Sequence, residues 1–205
     1  ELSPYFSINT PTKETLVSGM ISSEKTFKDI CSFAEALASK APLMHQPSER
    51  YTYSMGMDVL GCIIERVSGV KFDEFLNTRI FKPLNMQDTF FSVPESKRDR
   101  FTTLYAEVKD LKTFMPDMGD SIPDDLTMLR VDGKQNSAYF KEATVFDGGS
   151  GLVSSTEDYL KFAQMLLNGG KLGDQRILSR KSVELMSGNH LPDTFSSDAY
   201  LETAG

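Results

Sequence analysis

The sequence predicts a mainly helical α+β fold, and three observations lead to this prediction. Apolar residues recur at helical spacing in five segments, and serine or glycine stands at most of their ends, where helices are capped. Candidate strands are few and short. The 205 residues are 40% hydrophobic and 25% charged, which is typical of a folded protein with one sizeable domain or two small ones.

The clearest helical pattern lies between Tyr51 and Gly69. Its apolar residues repeat at i, i+3, i+4 and i+7, which predicts one buried face made of Leu60, Ile63, Ile64 and Val67. Gly69 is expected to end the helix, because a left-handed residue costs least at glycine. The helix N-terminus should fall near Tyr53 and Ser54, where free N–H groups favour negative charge. Two interpretations are open: a half-buried Tyr53 beside an ordinary N-cap, Ser54, or a tyrosine whose phenolate is stabilised.

Four other segments carry helical patterns, and three carry strand patterns. Helices are expected from Ser22 or Ser23 to about Ala38, from Phe72 to Ile80, from Ser155 to Gly169 and from Ser179 to Gly188. In the helix that begins at Ser155, the inward-facing residues are expected to be Tyr159, Phe162, Ala163, Leu166 and Leu167. Short strands are expected at residues 88–93, 128–131 and 138–145, the last two forming a hairpin around Asp132-Gly133.

Composition and charge argue against several classes of protein. The net charge of −7, with acidic residues spread along the chain, argues against nucleic acid and anionic membranes as partners. No apolar run approaches the ~18 residues of a membrane span. No signal peptide is visible in a chain that starts without Met, so periplasmic, secreted and cytoplasmic locations all stay open. Cys31 and Cys62 both fall on apolar helical faces, which predicts two buried thiols rather than a disulfide.

Two stretches of the chain resemble one family. Residues 47–89 are similar to the middle of the serine β-lactamase-like superfamily; the similar words are Tyr53-Ser54, then DVLGCIIERVSG, then FDEFLNTRIFKPLNMQDTFF, which begins at Phe72 and runs two residues past Thr89. That superfamily holds class C β-lactamases, penicillin-binding D-Ala-D-Ala peptidases and related esterases. A second block, GGSGLVSSTEDYLKFAQMLLNGG at residues 148–170, and NHLP at residues 189–192 resemble its later sequence. The resemblance implies that residues 1–205 form one domain, the central helical part of a β-lactamase-like fold without most of its antiparallel sheet.

The resemblance also implies a chemistry. In this superfamily the serine of a Ser-x-x-Lys pair attacks a carbonyl to form an acyl-enzyme, and the lysine and the tyrosine of Tyr-Ser-Asn exchange its proton. The resemblance makes Tyr53 the catalytic tyrosine, and it assigns substrate binding to Ser54, Met55, Gly149, Ser150 and Gly151. Because Met55 stands where β-lactamases and peptidases usually have asparagine, an esterase or acyl transferase is favoured. Asp58 is expected to cap the helix or form an ion pair, without a catalytic role.

Two elements of the superfamily's active site are not recognisable in the chain. Ser22-Ser23-Glu24-Lys25 has the Ser-x-x-Lys spacing, but Tyr53 follows Lys25 by only 28 residues, so these serines are interpreted as helix caps. The Lys-Thr-Gly or His-x-Gly element is also missing, because Lys112-Thr113-Phe114 lacks the glycine. We therefore expect the chain to be the middle portion of a longer enzyme and to be inactive alone. Its partners would be the N- and C-terminal sheet segments of the same fold.

The hypotheses for function belong to three classes. The first is part of a serine hydrolase that cleaves an ester, amide or peptidoglycan-like substrate through an acyl-enzyme, with Tyr53 on one wall of the site. The second is a catalytically inert penicillin-recognising-like module that binds peptide or acyl ligands, and the third is a purely structural helical domain. No cofactor and no metal are expected, since neither His45 nor His190 stands in a Ser-His-Asp or metal-ligand pattern.

Overall fold

The computed structural model of the chain describes residues 27–40, 55–109, 127–133 and 137–190. Several residues singled out above lie outside these ranges, namely Ser22, Ser23, Lys25, His45, Tyr53, Ser54 and residues 112–114. The described part contains five α-helices: α1 (Ile30–Lys40), α2 (Gly56–Ser68), α3 (Phe72–Leu76), α4 (Thr156–Leu167) and α5 (Arg180–Ser187). A π-helical turn (Asn77–Phe81) continues α3, and 3-10 turns lie at Glu95–Arg100 and Ala138–Phe140. The strands are β1 (Leu104–Glu107), β2 (Met128–Asp132), β3 (Lys171–Leu172) and β4 (Gln175–Arg176).

The described ranges agree with the prediction of an α+β fold with a few short strands, since more of their residues lie in helices than in strands. They contain two small antiparallel sheets, β1 with β2 and β3 with β4. No helix within them combines the length and the apolar character needed to cross a membrane.

Three predicted helix ends are confirmed. Gly69 follows α2 in the left-handed region, with φ at 74°, where glycine costs least. The hydroxyl oxygen of Ser155 accepts a hydrogen bond from the N–H of Asp158 at the start of α4. The hydroxyl of Ser179 accepts from the N–H of Ser182 at the start of α5 in the same way. Each serine satisfies an N–H group that has no partner inside its helix, so both helices start where their sequence indicates.

The first helix begins later than predicted. Residues 27–29 are not helical, and Asp29 caps α1 in place of Ser22 or Ser23. The Oδ1 atom of Asp29 accepts a hydrogen bond from the N–H of Ser32 at 2.7 Å, and this bond lowers the pKa of Asp29. The hydroxyl of Ser32 accepts from the N–H of Asp29 in return, at 3.3 Å. This reciprocal pair is a capping box. Asp29 and Ser32 are three residues apart in the sequence, which is the spacing of that motif.

A disulfide bond between Cys31 and Cys62 joins α1 to α2. The prediction of two buried thiols was therefore wrong. It rested on the helical face of each cysteine taken separately, whereas the packing of α1 on α2 brings their Cα atoms to 4.7 Å, within bonding range. Ile30, Ala34 and Cys62 form a small buried cluster beside the bond.

The buried side of α2 is not the predicted one. Gly61 and Cys62 are buried instead. Ile30 of α1 and Phe72 of α3 pack over Gly61, where a Cβ atom would meet both side chains at ordinary contact distance. The predicted face is largely exposed at Leu60, Ile63 and Val67, the last with 84% of its surface accessible. Apolar residues occupy more than one side of α2, so the period of the pattern alone does not select the side that α1 and α3 cover.

The larger core lies where α4 packs against the segment that follows α3. Met165 is fully buried in a cluster with Phe81, Leu84 and Met86. The residues that pack around this cluster include Leu76 and Ile80, and also Phe162 and Leu166, which were both predicted to face inward. Three other residues predicted to face inward are exposed, namely Tyr159, Ala163 and Leu167. The inward face of α4 instead contains the buried Asp158 and the residues four and seven positions later, Phe162 and Met165. The buried position of Asp158 accounts for the difference from the predicted face.

The predicted hairpin of residues 128–131 with 138–145 was wrong. β2 forms as expected but pairs with β1, where Tyr105 lies opposite Arg130. Residues 138–140 form a 3-10 turn instead of a strand, and the hydroxyl of Ser137 caps this turn by accepting the N–H of Tyr139. The same hydroxyl donates to Asp132 at 2.8 Å, which holds the turn at the end of β2.

The predicted strand at residues 88–93 is reduced to one bridge. Phe90 and Val153 exchange backbone hydrogen bonds of 2.9 and 2.8 Å, and no longer ladder forms at this segment. The N–H of Val93 donates instead to the carbonyl of Tyr139 at 2.8 Å. The segment thus connects residues 137–153 to the rest of the fold, with Phe91 and Val93 buried.

Candidate functional site

Residues 147–151 form a turn that packs against the first turn of α2; this segment is called the glycine turn below. A Cβ atom built on Gly148 would lie 2.1 Å from the carbonyl oxygen of Met57. A side chain would therefore collide with the α2 backbone, and glycine is the residue that permits this approach. The glycine turn and the beginning of α2 form one continuous surface, on which Gly148, Gly149 and Ser150 are exposed.

Asp58 holds the glycine turn at this distance. Its Oδ1 atom accepts a hydrogen bond from the N–H of Gly149 at 3.0 Å, across 91 residues of sequence. Met55 occupies the N-cap position of α2, and its side chain makes no capping bond. The carboxylate of Asp58 in the first turn of α2 also interacts favourably with the helix dipole.

The other side of the glycine turn rests on aromatic side chains. A Cβ atom on Gly151 would lie 2.7 Å from the ring of Phe91, so the backbone of the turn lies directly on this ring. The hydroxyl of Tyr139 donates to the carbonyl of Ser150 at 3.1 Å. Contacts on both sides therefore fix the conformation of a turn whose middle residues remain accessible.

Phe91 connects the glycine turn to a second concave surface. Its ring packs against Phe72 and Phe146, with ring centroids 6.0 and 5.0 Å away. Phe91 and Phe146 also line a groove of about 720 Å³, whose charged lining residues are Asp73, Lys82, Lys97 and Glu142. One carboxylate oxygen of Asp73 is buried without a hydrogen-bond partner among the described residues. No sequence motif indicated this groove.

Asp158 ties the start of α4 to the segment that carries Phe91. It is only 2% exposed, and it accepts hydrogen bonds from the N–H of Asp88 at 2.6 Å and from the hydroxyl of Thr89 at 3.1 Å. Lys161 donates to the same carboxylate at 3.0 Å, and this hydrogen bond raises the pKa of Lys161. The network fixes residues 88–89, and the position of Phe91 under the glycine turn depends on them.

Four of the six predicted site residues lie in the described ranges, and the fold brings them together at one end of α2. Met55 stands directly before the helix, and the glycine turn beside it contains Gly149, Ser150 and Gly151. Tyr53 and Ser54 lie outside the described residues. Sequence reasoning missed the role of Asp58. The paired glycines signalled a close backbone approach, but a partner 91 residues away leaves no local signal.

Comparisons with known proteins agree with this fold. The beta-lactamase family profile matches residues 19–200. Protein Rv1367c of Mycobacterium tuberculosis (strain ATCC 25618 / H37Rv) is 31% identical over 166 residues, which cover 81% of this chain and 37% of that protein. The structure of EstCE1, described as a hydrolase with promiscuous acyltransferase activity, superposes with a TM-score of 0.54 at 21% identity, covering 77% of this chain and 39% of that one. The octameric penicillin-binding protein homologue from Pyrococcus abyssi gives a TM-score of 0.53 at 21% identity, covering 87% and 35%.

Together with the family profile, the two structures show that the chain has a β-lactamase/penicillin-binding-protein-like fold. The profile match covers most of the sequence, and the chain therefore belongs to the beta-lactamase family, a family of serine hydrolases. The resemblance inferred from residues 47–89 and 148–170 is thereby confirmed. The chain spans less than two fifths of the length of each of the three proteins named above.

Proposed function

We propose that this chain is the helical part of a serine hydrolase that cleaves an ester or amide through an acyl-enzyme, with Tyr53 as the base on one wall of the active site. The observation that carries the proposal is the packing of the glycine turn on the first turn of α2. Tyr53 precedes Met55, the N-cap residue of that helix, by two positions. The exposed turn therefore packs at the end of α2 that Tyr53 precedes in the sequence.

The chemistry that we assign to this end of α2 is proton transfer. A phenol with a pKa near 10 is a poor base at neutral pH, but a helix N-terminus and a neighbouring lysine ammonium both favour the phenolate. Tyr53 would take the proton of a serine hydroxyl as its oxygen attacks the carbonyl carbon, and would return the proton to the leaving alcohol or amine. Water then releases the acid from the acyl-enzyme. The serine and the lysine belong, in this proposal, to a Ser-x-x-Lys segment elsewhere in the protein.

Met55 favours an ester over a peptide as the substrate. A thioether donates no hydrogen bond and accepts only weakly, so it does not replace the amide that an asparagine would present to a peptide-like substrate. Met55 is half-buried beside the exposed glycine turn. An apolar residue at that place suits an acyl chain, and the described activity of EstCE1 is in keeping with this preference.

The exposed apolar side of α2 supports the view that further segments complete the fold. Leu60, Ile63 and Val67 form a stripe that water contacts in this chain. Burying such a stripe is favourable by roughly 25 cal/mol for each Å² of apolar surface. In our proposal, the N- and C-terminal sheet segments of the same protein cover it, and residues 1–205 contribute one domain of the complete hydrolase.

The test is the variant Tyr53→Phe in the full-length protein, assayed on a short-chain p-nitrophenyl ester. The substitution keeps the ring and removes the oxygen, so we expect kcat/KM to fall by about a hundredfold to ten-thousandfold, as is typical when a proton-transfer group is lost. A thermal melt of the same variant is the control, because a large loss of stability would make Tyr53 a core residue instead.

A fluorophosphonate probe, followed by mass spectrometry of the full-length protein, separates the hydrolase from the inert binding module. A phosphonylated serine in a Ser-x-x-Lys segment is the expected result. Absence of any labelled serine, together with no ester hydrolysis, would favour the module. Residues 1–205 alone should hydrolyse neither p-nitrophenyl esters nor nitrocefin above background, and turnover abolished by Ser22→Ala would contradict this expectation.

A further inference from the structure

We propose that Asp58 is a positioning residue that sets the distance between the glycine turn and the first turn of α2, an inference that rests on the function proposed above. The carboxylate of Asp58 accepts the N–H of Gly149, while the carbonyl of Met57 meets the backbone of Gly148. Two neighbouring residues of α2 thus hold two neighbouring residues of the turn. A substrate bound along the turn is thereby held at a fixed distance from Met55 and the first turn of α2, which Tyr53 precedes in the sequence.

The hydrogen bond, rather than the charge, accounts for the placement of Asp58. The helix dipole stabilises a carboxylate in the first turn, but this stabilisation does not require a hydrogen bond to a residue 91 positions away in the sequence. Among the ion pairs of the described residues, none involves Asp58. The geometry therefore assigns to Asp58 the role of an acceptor for the N–H of Gly149.

The two glycines next to this bond make different contacts with α2. A Cβ atom on Gly148 would lie 2.1 Å from the carbonyl oxygen of Met57, whereas one on Gly149 would lie 3.5 Å from Asp58, an ordinary contact. Neither glycine has a positive φ, so backbone strain does not separate them. Alanine at position 148 must push the turn away from α2, while alanine at position 149 leaves room for it.

The activity test uses the full-length protein and a p-nitrophenyl ester. Asp58→Ala and Gly148→Ala should each lower kcat/KM by about tenfold to a hundredfold, since a displacement of ~1 Å in an active site can cost this much. Asp58→Asn keeps an acceptor oxygen at the same place and should recover most of the loss, and Gly149→Ala should lose less than Gly148→Ala. The matched control is Gly56→Ala, because a Cβ atom there meets nothing within 4 Å. Thermal melts establish that each variant is folded.

Hydrogen exchange at the Gly149 amide provides a second readout that does not depend on activity. Exchange should be faster in Asp58→Ala than in the wild type, and Asp58→Asn should restore its protection. If the wild type neither hydrolyses esters nor reacts with the fluorophosphonate, the proposed function fails, and the exchange result still decides whether Asp58 holds the turn. Unchanged exchange in Asp58→Ala, equal activity losses in Asp58→Asn and Asp58→Ala, or equal losses in the two glycine variants would each overturn the inference.

Discussion

Removal of the disulfide between Cys31 and Cys62 should destabilise the protein by an amount that follows from its position in the sequence. The bond spans a sequence separation of 31 residues. Closing a loop of this length in the unfolded chain corresponds to about 3.7 kcal/mol at 25 °C in the chain-entropy treatment. Cys62 is 6% exposed, so serine in its place would bury an unpaired hydroxyl, and alanine is therefore chosen at both positions. We expect the double variant Cys31→Ala/Cys62→Ala to lose on the order of 3–4 kcal/mol of unfolding free energy.

Guanidinium unfolding with and without a thiol reductant measures this loss in the full-length protein. The reductant should lower the midpoint of the wild type by more than that of the double variant, which is the control for any effect of the reductant that does not involve this bond. Peptide mapping tests the bond directly. The tryptic peptides of residues 29–40 and 51–66, DICSFAEALASK and YTYSMGMDVLGCIIER, should be joined in a non-reducing digest and separate after reduction.

Two outcomes would refute the reasoning about the disulfide. Titratable thiols at Cys31 and Cys62 in the native protein would show that the bond is absent. A mapped bond whose removal costs less than about 1 kcal/mol would show that the unfolded chain between Cys31 and Cys62 is already restricted, so the loop-entropy magnitude does not apply.

The remaining predictions concern the network beside the glycine turn. Asp158→Ala should cost about 3 kcal/mol, because it removes the buried acceptor shared by the N–H of Asp88, the hydroxyl of Thr89 and the ammonium of Lys161, and Asp158→Asn should cost less. Urea unfolding checks this, and a loss below about 1 kcal/mol for alanine would contradict it. Hydrogen bonds from Arg100, then Lys97, lower the pKa of Asp88 below its ordinary value of 3.8, so its contribution to stability is present above about pH 4 and is lost as the pH falls further. Asp88→Asn should therefore flatten the decline of melting temperature in acid, and parallel curves for variant and wild type would argue against this assignment.

Helix ends were predictable because the interactions that fix them are local. Ser155 and Ser179 accept N–H groups three residues away, and Gly69 needs only its own left-handed backbone. The family resemblance was likewise readable, since it depends on the order and spacing of short motifs. Both kinds of signal lie within a few residues, so the sequence contains them without reference to the rest of the fold.

The pairing of distant residues was decided by tertiary structure alone. Periodicity did not determine which side of α2 is buried, and the separate faces of Cys31 and Cys62 did not indicate that they are bonded. The candidate site also combines residues that motifs indicate with a residue that only the packing identifies. Tyr53, Met55 and the glycines were named from sequence motifs, whereas Asp58 gained its role only when packing placed the N–H of Gly149 within 3.0 Å of its carboxylate. A local pattern specifies an element, but contacts across 91 residues depend on how all the elements pack.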